Sequence, residues 1–435
     1  MTNHSAASRR QFLKTLGAGG VGSAALLASA NSATALGGEP IVIGAPLPLT
    51  GLVAADGIEF RNGLEMAVEE INALGGILGH PLELAIEDTQ SQGDDVIASA
   101  GQRLIDRSNA SVLISGYNLG SSTALPVVAA DASVIYMHAD TVVAHNELIK
   151  SDPETFWGSF QYDPAEIYYG IAYLQYMRKL IDDGDFKPAN NKIAVITGPL
   201  AYSINIANAI RDGAADYGFE VSLFESVQAP TSEWGPTLAK IRQNPPAMIA
   251  VTHFFPQDQA QFMQQFVNDP TDSLIYMQYG ASLAAFRDIA GDASEGVLYA
   301  TTIGALQDEI GNDFTARYLN AFGNNASSNG GGQTYSALWA YAVAAALAGG
   351  AGQPYEEEQN RKIAERLGKL IYRSPVGTIR IDPETLSAYS YPGDTNDPSL
   401  GMPHIFSQIQ NKAENGYIIS PAPYDVARFQ QPDWS

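Results

Sequence analysis

From Pro40 onward the chain alternates short β-branched runs with stretches of helical period. Ile41-Val42-Ile43-Gly44 is the pattern of a buried strand. Phe60, Leu64, Val68 and Ile71 then recur on one helical face, which ends at Leu74-Gly75-Gly76. Strands are predicted over 82–86, 111–115 and 134–137, with helices over 94–107 and 122–130 between them. A second series of the same kind follows. It has strands over 192–197, 220–224, 247–252 and 274–278, and helices over 203–217, 234–243 and 257–267. Alternation of this kind predicts parallel sheets with helices on both faces, an α/β doubly wound (Rossmann-like) design. The stretch 150–191 separates the two series. It holds an aromatic helix with Tyr168, Tyr169, Tyr173 and Tyr176 at helical spacing, which reads as packing rather than as a ligand cage. After Thr302 the pattern turns helical over 312–322, 334–347 and 356–371, with a Gly/Asn/Ser loop expected over 324–332. Short strands are predicted over 377–381, 404–410 and 416–420.

Composition narrows the class. The 435 residues hold 24 Lys and Arg against 47 Asp and Glu, a net charge of −23, so a nucleic-acid backbone is not an expected partner. There is no Cys, which excludes disulfides, thiolate metal sites, a Cys nucleophile and a lipid-anchored Cys. At the front, Ser8-Arg9-Arg10-Gln11-Phe12-Leu13-Lys14 is a twin-arginine stretch. A Gly/Ala-rich apolar run and Ala33-Thr34-Ala35 follow, in the order of a signal peptide over 1–35. Cleavage is expected after Ala35, with Ala30 as the alternative, giving an exported periplasmic chain. Gly17-Ala18-Gly19-Gly20-Val21-Gly22 matches a dinucleotide fingerprint but lies inside this leader with no strand before it, so no cofactor is assigned.

No constellation for catalysis is present. The six histidines form no HExxH, and there is no GxSxG elbow, P-loop or SxxK. His138-Ala139-Asp140 lacks a third nearby ligand, so no metal is assigned. Carboxylate pairs such as Glu69-Glu70 and Asp94-Asp95 read as solvated faces. Binding positions are easier to place, because ligands of open parallel sheets sit beyond the carboxyl ends of strands. Those ends carry Tyr117-Asn118-Leu119-Gly120-Ser121-Ser122, then His138-Ala139-Asp140-Thr141. In the second series they carry Tyr202, Phe254-Phe255 and Gln278-Tyr279. The Ser hydroxyls meet a helix start, where free N–H groups donate to a carboxylate or carbonyl oxygen. The aromatics at successive strand ends suggest a wall over a small solute.

The chain resembles the periplasmic substrate-binding proteins of ABC importers, of the branched-chain amino acid and amide/urea type. The likeness rests on Ile43-Gly44-Ala45-Pro46-Leu47-Pro48-Leu49-Thr50-Gly51, on Glu69-Glu70-Ile71-Asn72-Ala73-Leu74-Gly75-Gly76, on Gly120-Ser121-Ser122-Thr123, on the stretch 289–297 and on Pro432-Asp433-Trp434. The resemblance implies a type I fold of two lobes, 36–160 plus 303–376 and 161–302 plus 377–435. Three crossovers, near Phe160, Thr302 and Gly377, would join them. It implies a non-enzyme that is a monomer, captures a small polar solute by hinge closure and delivers it to an ABC permease. A sensor or an enzyme on the same scaffold is the alternative. Asn118, Gly120, Ser121 and Ser122 would hold the polar head of the ligand, with a carbonyl and a hydroxyl supplied by 138–141. Tyr202, Phe254 and Phe255 would close over it. Where amino-acid binders of this type place a carboxylate for the ammonium, this chain has Gln278-Tyr279, and Asp140 is the acid placed nearest the cleft. That departure raises a neutral amide, urea or an organic acid as candidates beside an amino acid.

The leader is testable. Replacing Arg9 and Arg10 together by Lys should leave precursor in the cytoplasm. An unchanged periplasmic yield on cell fractionation would show that the twin-arginine route is not used.

Overall fold

The computed structural model describes residues 37–91, 93–118, 123–302, 304–411 and 416–434. The leader lies outside them, as does the serine loop over 119–122. The first sheet is built from β1 (Ile41–Leu47), β2 (Leu82–Asp88), β3 (Val112–Ile114), β4 (Ile135–His138) and β5 (Ser159–Gln161). The helices between them are α1 (Ala54–Ala73), α2 (Asp94–Asp106), α3 (Ala124–Asp131) and α4 (Val143–Ser151). All neighbours in the order β2-β1-β3-β4-β5 are parallel. Parallel pairing requires a crossover after each strand, so every strand leaves the sheet at the same edge.

The chain then runs through α5 (Ile167–Asp182) into a second sheet. It contains β6 (Lys192–Thr197), α6 (Ala201–Gly213), β7 (Glu220–Ser226), α7 (Gly235–Gln243), β8 (Met248–Val251), α8 (Pro256–Phe266), β9 (Leu274–Gln278), α9 (Ala284–Ala290) and β10 (Leu298–Thr301). Three helices follow: α10 (Glu309–Phe322), α11 (Ser328–Leu347) and α12 (Glu357–Lys369). They pack on the first sheet, with Phe314, Tyr318, Leu338, Tyr341 and Ile363 buried in the same core as Ile43, Ile114 and Phe60. Short strands β11 (Ile371–Ser374), β12 (Gly377–Arg380), β13 (Ser390–Tyr391) and β14 (Met402–Pro403) come next, before β15 (Ile405–Gln408) and β16 (Tyr417–Ser420). The second sheet has the order β16-β15-β10-β9-β8-β6-β7, and its two last-formed strands are antiparallel to their neighbours.

Each sheet is covered on both faces. In the first, α2 and α3 bury Ile97, Leu104, Leu125 and Val128 against Leu113 and Tyr136, opposite the core of α1 and α11. In the second, α5 and α6 cover one face through Tyr173, Met177 and Ile206. Residues Trp234, Leu238 and Phe262 of α7 and α8 and the turn before α7 cover the other. Tyr173 and Tyr176 therefore pack, as expected of the aromatic helix. Among the described residues no helix is long and apolar enough to cross a membrane.

Two expectations need correction. The third passage between sheets is not near Gly377. Ile379, Ile381, Ala388 and Met402 are apolar and still buried in the first core, and the chain joins the second sheet only at Ile405, which pairs with Thr301. The segment 324–332 is not all loop, because α11 begins at Ser328 and carries Gly330-Gly331-Gly332 in its first turns. These glycines are helical for a packing reason. A Cβ on Gly63 of α1 would fall inside contact distance of the Gly331 carbonyl and the Thr334 hydroxyl, and one on Gly331 would strike the Tyr318 ring. The two helices approach backbone to backbone, which glycine alone permits.

Gly63→Ala should therefore destabilise the protein by about 1–3 kcal/mol, as overpacking does, despite the better helix propensity of Ala. Urea denaturation should show a lower midpoint with an unchanged slope. An unaltered midpoint would mean that the helices separate without cost.

Candidate ligand-binding cleft

The carboxyl ends of the parallel strands of both sheets face one cavity of about 180 Å³, roughly ten times the space one water needs. Its lining comes from the segment after β3 (Tyr117, Asn118), the segment after β4 (Ala139, Asp140, Thr141, Val142, Ala144) and the start of α5 (Glu166, Tyr169). The second sheet adds the segment around the start of α6 (Leu200, Ala201, Tyr202, Asn205), Phe254 after β8 and Tyr279 after β9. Seven expected residues thus meet here: Tyr117, Asn118, Asp140, Thr141, Tyr202, Phe254 and Tyr279. His138 and Phe255 do not reach the cavity. His138 is fully buried beneath Asp140, and Phe255 packs behind Phe254 against His253. Gly120, Ser121 and Ser122 lie outside the described residues.

One pole of the cavity is acidic. Asp140 places one carboxylate oxygen 3.0 Å from Nδ1 of His138 and accepts the Asn118 N–H on the other at 3.3 Å. His138 is fixed in turn by Nδ1 of His145 at 3.0 Å and by stacking on Tyr136. Burial and the neighbouring His138 push the His145 imidazole well below the usual range, so His145 is neutral. Asn118 is held from both sides: it accepts from the Thr89 hydroxyl at 2.6 Å and donates to the Pro46 carbonyl at 3.2 Å. Thr141 has a φ of 56°, a conformation that an L residue with a branched Cβ adopts only under constraint. Its hydroxyl donates to the buried Asp163, whose carboxyl is pushed well above the usual range by burial.

Glu166 is a second acid in the wall, and sequence reasoning missed it. Its carboxylate accepts the Val143 N–H at 2.5 Å and the Asn205 amide at 2.8 Å. It thereby ties the first turn of α4 to α6 of the second sheet. Burial raises its carboxyl above the ordinary value. Glu166 follows β5, so it occupies a strand-end position like the others, but a three-residue strand left no run to find. Tyr169, read as packing, also lines the cavity. Its hydroxyl accepts the Thr302 N–H at 2.9 Å, and burial raises it to about 12.

The opposite side is aromatic. Tyr202 meets Phe254 edge to face at 5.2 Å and Tyr169 at 6.2 Å, and Tyr117 meets both Phe254 and Tyr279 at 6.1 Å. The Tyr202 hydroxyl accepts from the Gln278 amide at 2.7 Å, so Gln278 stands behind the wall rather than in it. No Lys or Arg occurs among the described lining residues. The cavity therefore presents two carboxyl groups, neutral tyrosines, the polar side chains of Asn118, Thr141 and Asn205, and an apolar remainder. This is a site for a solute with a positive or donor-rich end and a hydrophobic body.

Residues 40–388 match the sequence profile of the periplasmic binding proteins. The chain belongs to the periplasmic binding protein family. A solved structure from Silicibacter pomeroyi, provisionally described as a branched-chain amino acid ABC transporter, is 63% identical. It covers 91% of this chain and 100% of its own, with a TM-score of 0.84. The leucine-, isoleucine-, valine-, threonine- and alanine-binding protein of Pseudomonas aeruginosa is 23% identical over 359 residues, 82% of this chain and 90% of its own. The branched-chain amino acid transporter substrate binding protein LivJ of Streptococcus pneumoniae, solved with isoleucine, shares the fold. Its TM-score is 0.70 at 18% identity, over 88% of this chain and 98% of its own. The two-lobed design is thus that of the type I periplasmic binding proteins, a family of solute-binding proteins of the periplasm and not of enzymes.

Proposed function

We propose that this periplasmic binding protein captures one small amino acid with an aliphatic side chain and delivers it to the membrane permease of an ABC importer. The carrying observation is the pairing of Asp140 with an aromatic and aliphatic wall in a cavity whose described lining holds no basic side chain. A ligand ammonium entering such a site needs a carboxylate, because an unpaired buried charge is costly. Asp140 supplies it from the first lobe, with Glu166 close by. The hydroxyls of Ser121 and Ser122 are assigned to the ligand carboxylate, to which they can donate. Tyr202, Phe254 and Tyr279 cover the side chain from the second lobe when the lobes close about their connecting segments. The names of the relatives point to the same ligand class. Two carboxylates in one wall favour an amine-bearing solute over acetamide or urea. The leader with Arg9 and Arg10 delivers the folded chain to the periplasm, and the monomer is the working unit.

Calorimetry and thermal melting test this reading with isoleucine, leucine, valine, threonine, alanine, acetamide and urea. A cognate amino acid at 100 times its Kd should stabilise the protein by about 2.7 kcal/mol. Asp140→Asn should weaken isoleucine binding by about 2–5 kcal/mol, the range for removing one partner of a buried charged pair, while the empty protein melts nearly as before. Stabilisation by acetamide or urea alone would overturn the amino-acid reading. Undiminished isoleucine binding by the variant would remove Asp140 from its role.

A further inference from the structure

Behind the aromatic wall lies a buried acid that the cavity itself does not expose. Asp56, in the first turn of α1, has no solvent exposure. One of its carboxyl oxygens accepts the Tyr279 hydroxyl at 2.9 Å. Tyr279 belongs to the second lobe, at the end of β9, so this hydrogen bond spans the cleft. The other oxygen of Asp56 is buried, and the equally buried Tyr117 hydroxyl faces the same carboxyl. The Tyr279 hydroxyl also accepts the Gln333 amide of α11 at 3.3 Å. Tyr279 holds a φ of 54°, a strained backbone that the surrounding contacts must enforce.

We propose that Asp56 is the positioning residue that fastens the two lobes in the closed state, by accepting Tyr279 across the cleft and setting both tyrosines of the wall. The inference rests on closure between lobes as proposed above, but not on the identity of the ligand. Among the described residues, the groups that act most on Asp56 include no cation. Tyr117 and Tyr279 face it from the segments after β3 and β9, Glu59 faces it from its own helix, and α11 supplies the Gln333 amide to the Tyr279 hydroxyl. Glu59 is itself engaged by the Tyr318 hydroxyl and the Ser327 N–H.

This environment makes the contact sensitive to protons. Desolvation raises the Asp56 carboxyl to about 7, the tyrosine hydroxyls only partly opposing it. Opening the cleft exposes the group to water and returns it toward the ordinary value near 4. The closed state thus holds the proton more tightly. Closure is favoured at acid pH, weakens as pH rises through the window from about 4 to about 7, and levels off above it. One linked proton changes the closing equilibrium by up to about tenfold per pH unit inside that window.

The absence of native Cys allows a direct measurement. Cysteines introduced at the exposed positions Asp106 and Asp216, one in each lobe, carry a donor and an acceptor dye for single-molecule energy transfer. Without added ligand, the closed fraction should fall between pH 5 and pH 8. Asp56→Asn, which keeps an acceptor for Tyr279 but cannot ionise, should flatten that dependence. Tyr279→Phe should lower the closed fraction at pH 5, and serves as well if the Asn variant folds poorly. A flat profile in the parent protein, or an equal slope in Asp56→Asn, would overturn the proposal. Saturating isoleucine separates the two readings. Closure by isoleucine with no role for Asp56 leaves the transport reading standing. A pH-dependent, Asp56-dependent closure without isoleucine binding supports the fastening contact and counts against that ligand.

Discussion

The structure depends on one topological constraint, the parallel pairing of strands in two sheets whose carboxyl edges face each other. A parallel strand must be followed by a crossover, so all functional loops leave each sheet on one side. When β3, β4 and β5 meet β6, β8 and β9 edge to edge, their following residues converge without any long loop. The sheets are held in that relation by covalent passage of the chain after Gln161, after Thr301 and before Ile405. The close glycine contact at Gly63 packs α1, which carries Asp56 in its first turn, against α11.

A second feature is the electrostatic character of the interior. Asp140 and Glu166 line the cleft and Asp56 and Asp163 lie buried behind it, engaged by tyrosine and threonine hydroxyls, an amide, backbone N–H groups and the His138 ring. Burial therefore raises Asp56, Asp163 and Glu166 above the ordinary carboxyl range. An apparatus of this kind lets a ligand cation complete the charge balance. It also ties the energy of closing to protonation, since neutral carboxyls are the cheaper ones to bury.

Much of this was legible in the sequence, for reasons that can be located. The strands over 192–197 and 274–278 stand as read because fully buried parallel strands are continuous apolar runs between clear breakers. Strand-end reasoning brought Asp140, Thr141, Tyr202, Phe254 and Tyr279 together because the position after a parallel strand is dictated by topology. It failed where the strand itself was too short to show, as at β5, and so missed Glu166. His138 and Phe255 stay outside the cavity, because His138 is fully buried beneath Asp140 and Phe255 packs behind Phe254 against His253. The start of α11 was hidden by Gly330-Gly331-Gly332, whose low helix propensity is overruled by contact with α1 and Tyr318. Asp56 carried no local signal, because its role exists only once the second lobe delivers Tyr279.

The central claim is that both lobes enclose one solute between their strand ends. Hydrogen exchange followed by mass spectrometry, with and without saturating isoleucine, tests it most directly. The account predicts simultaneous slowing of exchange in the segments 139–144 of the first lobe and 200–205 of the second. Slowing confined to one lobe, or elsewhere in the chain, would contradict it.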